Sequence, residues 1–259
     1  MRYVLGLLLV LTLSVTTAAE IHTESVTYEI DGEPFEGYLA YDTEREGDRP
    51  GVLIIHQWMG LTDYEKMRAR MLAELGYVAF AADIYGKGVR PQNRQEAGAE
   101  ASKYRGDDRT LFRTRLNAGL AQLHESPHVD TSKLAAIGYC FGGGGVLELA
   151  RSGAQVEGVV SFHGSLSTPD PSDAENIVCK VAVLHGAVDP YAPMEEVQGL
   201  IDEMEAAEVD YYITLYGGAV HSFTQEMAGD DPSTGAAYDA TADRRSWRAM
   251  QAFFDEIFQ

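Results

Sequence analysis

Basic residues are scarce in this chain. Its 20 lysines and arginines face 40 aspartates and glutamates, a formal net charge of −20. A surface so acidic repels nucleic acid and anionic membrane, which excludes both as partners. Cysteine is nearly absent: Cys140 and Cys179 are the only two, too few for a disulfide-stapled scaffold. No metal-ligand spacing links His56, His163, His185 and His221, so neither a metal centre nor another cofactor is expected. Internal repeats and low-complexity linkers are missing. So is any apolar run long enough to span a membrane with ease, the longest being Val4–Leu13.

That run has a different meaning. Arg2, Val4–Leu13 and the small residues Thr17-Ala18-Ala19 together have the form of a secretory leader, residues 1–19, cleaved after Ala19. An N-terminal anchor is the alternative; no cysteine follows that would carry a lipid. The expected product is secreted or periplasmic, with no stable membrane insertion once the leader is gone. Residues 20–259 then form a single domain, since a chain of 259 residues that is 45% hydrophobic suffices for one well-buried core. The acidity reads as a solvated surface, or as adaptation to high salt. The second requires stability that rises across a salt series.

Short apolar runs alternate with segments of helical period. Val26–Tyr28 and Phe35–Tyr41 read as a hairpin turning at Asp31-Gly32, and Val52–Ile55 and Val78–Ala82 as buried strands. Asp63–Leu75 reads as a helix with Tyr64, Met67, Met71 and Leu75 inward and Gly76 as its stop. Further helices are expected over 92–104, 109–123, 193–207 and the C-terminal stretch around Trp247–Ile257; the acidic residues of the third should face water. Strands are expected over 134–137, 156–162, 181–185 and 211–216. This alternation predicts an α/β fold, a mostly parallel sheet covered on both faces with an N-terminal antiparallel hairpin. Working groups in such sheets gather beyond the carboxyl ends of the strands. On that geometry Cys140 ends one strand and Cys179 begins another, which argues against a bridge between them.

Gly138-Tyr139-Cys140-Phe141-Gly142 sits between such a strand and a helix. Gly-x-Nu-x-Gly in that setting is a nucleophile elbow, here with cysteine where serine is usual. The helix N-terminus behind it favours a thiolate and an adjacent oxyanion. An inert buried cysteine on a glycine-rich turn is the bland alternative. Later loops supply Asp189 and His221, in the order nucleophile, acid, histidine. His221 would take the thiol proton and Asp189 would orient the imidazole. Backbone N–H groups of Phe141 and of Trp58, after the Val52–Ile55 strand, would form an oxyanion hole. Asp83 precedes the nucleophile and reads as a structural strand-end residue. His56, His163 and His185 read as hydrogen-bonded strand ends, and His22, His124 and His128 as surface residues.

Through Gly138–Gly143, His221-Ser222-Phe223, the loop 186–190 and Asp83-Ile84-Tyr85, the chain resembles the dienelactone hydrolase family of α/β-hydrolases over roughly residues 25–258. The resemblance implies a cofactor-free Cys-His-Asp hydrolase of small esters or lactones. Three positions depart from the family pattern. Gln57 stands where a glutamate commonly contacts the resting nucleophile, so Cys140 is expected to rely on His221 alone. Lys87 and Gln225 stand where two arginines hold a substrate carboxylate, which opens the substrate to neutral molecules. Met59, Tyr85, Tyr139 and Phe223, with Trp58, are candidates to wall an apolar pocket, core packing being the alternative for each. The other functions open on this scaffold are a general carboxylesterase or acyl transferase, and a non-catalytic ligand-binding relative. Monomer and homodimer both remain open.

Overall fold

Why the central strands are apolar without alternation becomes plain from the computed structural model, which describes residues 19–259. The expected leader lies outside the described residues but for Ala19. Eight strands form one sheet in the order β1-β2-β4-β3-β5-β6-β7-β8. β1 (Ile21–Ile30) and β2 (Glu33–Asp42) make the antiparallel hairpin, turning through Asp31 and Gly32 with φ of 52° and 82°. Two successive positive φ values match the twist of the strands they join. β2 pairs antiparallel with β4 (Val78–Ala82). β4, β3 (Arg49–Ile55), β5 (Val129–Tyr139), β6 (Gly158–Phe162), β7 (Lys180–Gly186) and β8 (Tyr211–Tyr216) are parallel to one another.

Each central strand feeds two cores. Leu53, Ile55, Phe80, Ala136 and Val183 point to one face, and Val52, Ile54, Ala81, Ile137 and Leu184 to the other. Helices α3 (Thr110–His124), α4 (Phe141–Arg151) and α5 (Met194–Ala206) cover the first face through Phe112, Leu116, Val146, Leu147, Val197 and Leu200. Helices α1 (Asp63–Leu75) and α6 (Ala240–Ile257) cover the second through Leu72, Met250 and Phe254. The short α2 (Arg94–Ser102) adds Ala101 to the first core.

Two helix faces differ from expectation. α1 runs over the expected residues and stops at Gly76, but it turns Ala69, Leu72 and Ala73 inward, while Met67 and Leu75 stay 37% and 40% exposed. The sheet beneath presents Ala40, Ala79 and Ala81, so small side chains let the helix sit close. Glu65 and Arg68 are buried on this face as well, both hydrogen-bonded. On α5 the acidic residues are not all solvated. Glu203 is buried because it meets Arg151 of α4 through two bonds, Nε–Oε1 at 2.7 Å and Nη2–Oε2 at 2.8 Å. Met194, the first residue of α5, is exposed. Both cysteines are free thiols.

Candidate active site

At the carboxyl end of β5 the chain turns sharply into α4. Cys140 occupies the turn with φ 55° and ψ −112°, a strained backbone for a residue with a Cβ, costing on the order of 1–3 kcal/mol. The flanking glycines answer to close approach: a Cβ on Gly138 would strike the Gly142 carbonyl, and one on Gly142 the Ile55 carbonyl. Hydrogen bonds hold the strain in place. The Cys140 N–H donates to Phe162 O (3.0 Å) and to His163 Nδ1 (3.2 Å), and its carbonyl accepts from Gly143 and Gly144.

Two later loops converge on the sulfur. His221 Nε2 lies 3.0 Å from Cys140 Sγ, and its Nδ1 lies 2.7 Å from Asp189 Oδ2. The other oxygen, Asp189 Oδ1, accepts from the N–H groups of Tyr191 (2.8 Å) and Ala192 (3.2 Å). A carboxylate so placed accepts only, so Nδ1 carries a proton and Nε2 is the nitrogen offered to sulfur. The loop bearing His221 is pinned by its backbone to Gly235 and Ala237.

Charge favours an ion pair here. Burial opposes a Cys140 thiolate, yet His221, Arg105 and the Phe141 N–H outweigh it and lower the thiol's pKa. Burial likewise opposes a charged His221, yet the sulfur and Asp189 outweigh it and raise the imidazole's pKa. The arrangement can therefore present a nucleophilic thiolate beside a proton donor.

A second cation, besides the imidazole of His221, lowers the thiol's pKa. The exposed Arg105, in the segment after α2, holds its guanidinium 5.3 Å over the Phe141 ring. No motif marks it in the sequence. Tyr191 was also missed; its ring stands edge-on to His221 at 5.4 Å.

The loop after β3 is built from backbone bonds. Ile84 N–H donates to His56 Nε2 (3.1 Å), so Nδ1 carries the proton and donates to Gln57 O (2.7 Å); Gly60 N–H donates there too. In a planar trans peptide this turns the Trp58 N–H to the opposite side. Burial pushes the His56 pKa down to about 4, which keeps this tautomer neutral. Gln57 Oε1 accepts from Met59 N–H (2.9 Å), and Gln57 N–H donates to the buried Glu65 (3.2 Å). Glu65, which also bonds Thr62, had no sequence signal beyond its place in a capping box.

The remaining sequence candidates separate. Tyr85 is buried against His56 and Phe141 and donates to Trp58 O, within the same loop cluster. Tyr139 stacks on Phe162, and Phe223 packs on His163 and Tyr216, both wholly within the core of the α1/α6 face. Lys87 reaches Glu36 and Thr27 of the hairpin instead of the sulfur. Gln225, four residues past His221, donates its backbone N–H to Ser222 O. Asp83 accepts from Tyr85 and Gly86 N–H and pairs with Arg90, an anchor for its own loop. His185 donates to Ala192 O. Among the described residues no three His, Cys, Asp or Glu side chains are grouped to hold a metal. A cavity of about 670 Å³ opens at the other end of the sheet beside Cys179, whose thiol burial pushes up to about 12. It holds no nucleophile–base pair among the described residues.

Comparison with known proteins gives the family and agrees with the fold. The family model described as "Dienelactone hydrolase family" matches residues 35–258. A dienelactone hydrolase-like promiscuous phosphotriesterase from metagenomic libraries is 41% identical, with a TM-score of 0.87 over 92% of this chain and 98% of that one. A solved structure titled m3DLH is 39% identical, with a TM-score of 0.88 over 92% and 99%. A Yersinia pestis protein provisionally named a carboxymethylenebutenolidase is 26% identical over 247 residues, 91% of this chain and 89% of its own.

Proposed function

The chain belongs to the dienelactone hydrolase family, and on that premise we propose that it hydrolyses small carboxylic esters or lactones through a thioester on Cys140. The observation that carries this reading is the line of contacts from Asp189 through His221 to the sulfur, at 2.7 and 3.0 Å. The Cys140 thiolate attacks the acyl carbon, and the carbonyl oxygen becomes an oxyanion. Backbone N–H groups of Phe141 and Trp58 stabilise it, by about 3–4 kcal/mol per donor. The protonated His221 gives its Nε2 proton to the departing alkoxide. Neutral His221 then takes a proton from water, hydroxide adds to the thioester, and the thiolate leaves to restore the ion pair. An alkoxide departs more readily than an amine, so esters and lactones suit the site better than amides.

The test is a chromogenic acetate ester with wild-type protein, Cys140→Ala and Cys140→Ser. Turnover lost in Cys140→Ala, with a mass increment of one acyl group on Cys140 in the wild type, is expected. Equal turnover in the alanine variant refutes the reading. Added alcohol acceptors in the same assay separate hydrolysis from acyl transfer. The likeness to a promiscuous phosphotriesterase favours a second reading, attack of the same thiolate on phosphorus. A chromogenic dialkyl aryl phosphate run beside the ester decides whether that activity accompanies the first.

A further inference from the structure

His163 is buried completely, lies at the end of β6 next to the elbow, and takes no part in the mechanism above. Its ring nevertheless touches both loops that meet at the sulfur. On one side Nδ1 accepts the N–H of Cys140 itself (3.2 Å). On the other, Nε2 lies 2.7 Å from Thr224 Oγ1, three residues past His221. The tautomer follows from the first bond. An amide N–H only donates, so Nδ1 is bare and Nε2 carries the proton that goes to Thr224. Between the two contacts the ring stands edge-on to His221 at 5.4 Å.

The far abutment is firm. Thr224 Oγ1 bonds Tyr64 Oη (2.7 Å), and Arg68 donates to Thr224 O (3.1 Å), to Tyr64 Oη (3.2 Å) and to Asp243 (2.6 Å). Helices α1 and α6 thus fix the residue against which His163 pushes. The near abutment is strained, with Cys140 at φ 55° and His163 itself at φ 39°. Strain of this kind persists only where the surroundings over-determine it.

Resting on the thiol–imidazole reading of the site, we propose that His163 is a positioning residue: it bridges the Cys140 elbow and the His221 loop and so sets the distance between the reacting pair. The bridge exists only while the ring is neutral, because a proton on Nδ1 would face the Cys140 N–H. Burial, with His221, His185 and Arg68 as the charged or titratable neighbours of like sign, keeps its pKa well below the ordinary value. The bridge therefore holds throughout the neutral range.

Thr224→Val and Thr224→Ser test this without touching the elbow, with His163→Gln beside them. The first readout is the pH dependence of Cys140 alkylation by iodoacetamide, located by mass spectrometry. It reports the thiolate whether or not any ester is turned over, so it stands apart from the hydrolase reading. The second is kcat and KM on the chromogenic ester, with melting temperatures to show that each variant is folded. Thr224→Val is expected to raise the alkylation midpoint by about one pH unit. It should lower kcat on the order of 10–100-fold, with KM little changed. Thr224→Ser, which keeps the hydroxyl, should restore both. A wild-type alkylation profile in Thr224→Val and His163→Gln overturns the proposal. An equal loss in Thr224→Ser also overturns it, since packing and not the bridge would then be responsible.

Discussion

Asp189→Asn changes one atom's role and little else. Asp189 Oδ1 accepts from the N–H groups of Tyr191 and Ala192, so the asparagine carbonyl oxygen must take that place. Its NH2 then faces His221 Nδ1, where Oδ2 now sits at 2.7 Å. An amide that donates forces Nδ1 to accept, and the neutral ring must carry its proton on Nε2, toward the sulfur. A charge-assisted hydrogen bond worth about 1.5–3 kcal/mol is lost from the imidazolium. At 1.36 kcal/mol per unit this lowers its pKa by about 1–2 units. The sign follows from the wild-type shifts. His221 is raised by the sulfur and Asp189 against burial, so without the carboxylate it releases its proton at lower pH. Cys140 is lowered chiefly through His221 against burial, so its titration moves up. The window in which thiolate and imidazolium coexist closes from both sides. Rates of iodoacetamide alkylation and ester hydrolysis, each followed across the acid and alkaline limbs, measure that window. Hydrolysis at neutral pH should fall on the order of 10²–10⁴-fold. Two limbs that stay in place would refute the assignment of Asp189 as the orienting acid.

Arg105→Ala removes a cation, held over the Phe141 ring, whose charge lowers the pKa of the Cys140 thiol. The alkylation midpoint should rise by less than that of Asp189→Asn, and KM should rise more for an anionic ester than for its neutral counterpart; equal KM changes would remove Arg105 from substrate recognition. Gln57→Glu introduces a carboxylate in the loop behind Trp58 and should raise the alkylation midpoint, whereas an identical profile would show that this position does not act on the nucleophile. Glu203→Leu leaves the buried Arg151 with only Glu148 and the Leu166 carbonyl. Stability in urea is expected to drop by about 3–5 kcal/mol, and an unchanged midpoint would mean that the pair contributes nothing net.

What could be read from the sequence was local in chain and periodic. The elbow is five consecutive residues between a strand and a helix, and its glycines are required by contacts within the turn and with the neighbouring strand. Asp189 and His221 were found because chain order and strand-end position suffice to nominate them. The misplaced groups are those whose partners lie far along the chain. Lys87 was nominated by the family resemblance, but Glu36 and Thr27 of the hairpin claim it. Glu203 looked solvated on a helical wheel until Arg151, 52 residues away, met it. The face of α1 was misjudged because large apolar residues were preferred over the alanines that fit a close-packed sheet. Arg105 carries no periodic or spacing signal at all; only the fold brings it over Phe141.

These non-local groups share one electrostatic logic. The chain has twice as many acidic as basic residues, yet the groups acting on the Cys140 thiol are His221, Arg105 and a backbone N–H, none of them anionic. The carboxylate of Asp189 stands behind the imidazole, where it supports a positive charge instead of opposing the thiolate. Glu65, a buried acid of the loop cluster, spends its oxygens on Thr62 and the Gln57 N–H. Gln57 presents a neutral amide whose oxygen is already taken by Met59. A thiolate in a buried site is costly unless positive partners outnumber negative ones at short range. Glutamine at position 57, where the family resemblance implies a glutamate, acts in that same direction: it places no anion in the loop behind the proposed oxyanion donors and makes the hydrogen bond to Met59 N–H that shapes it.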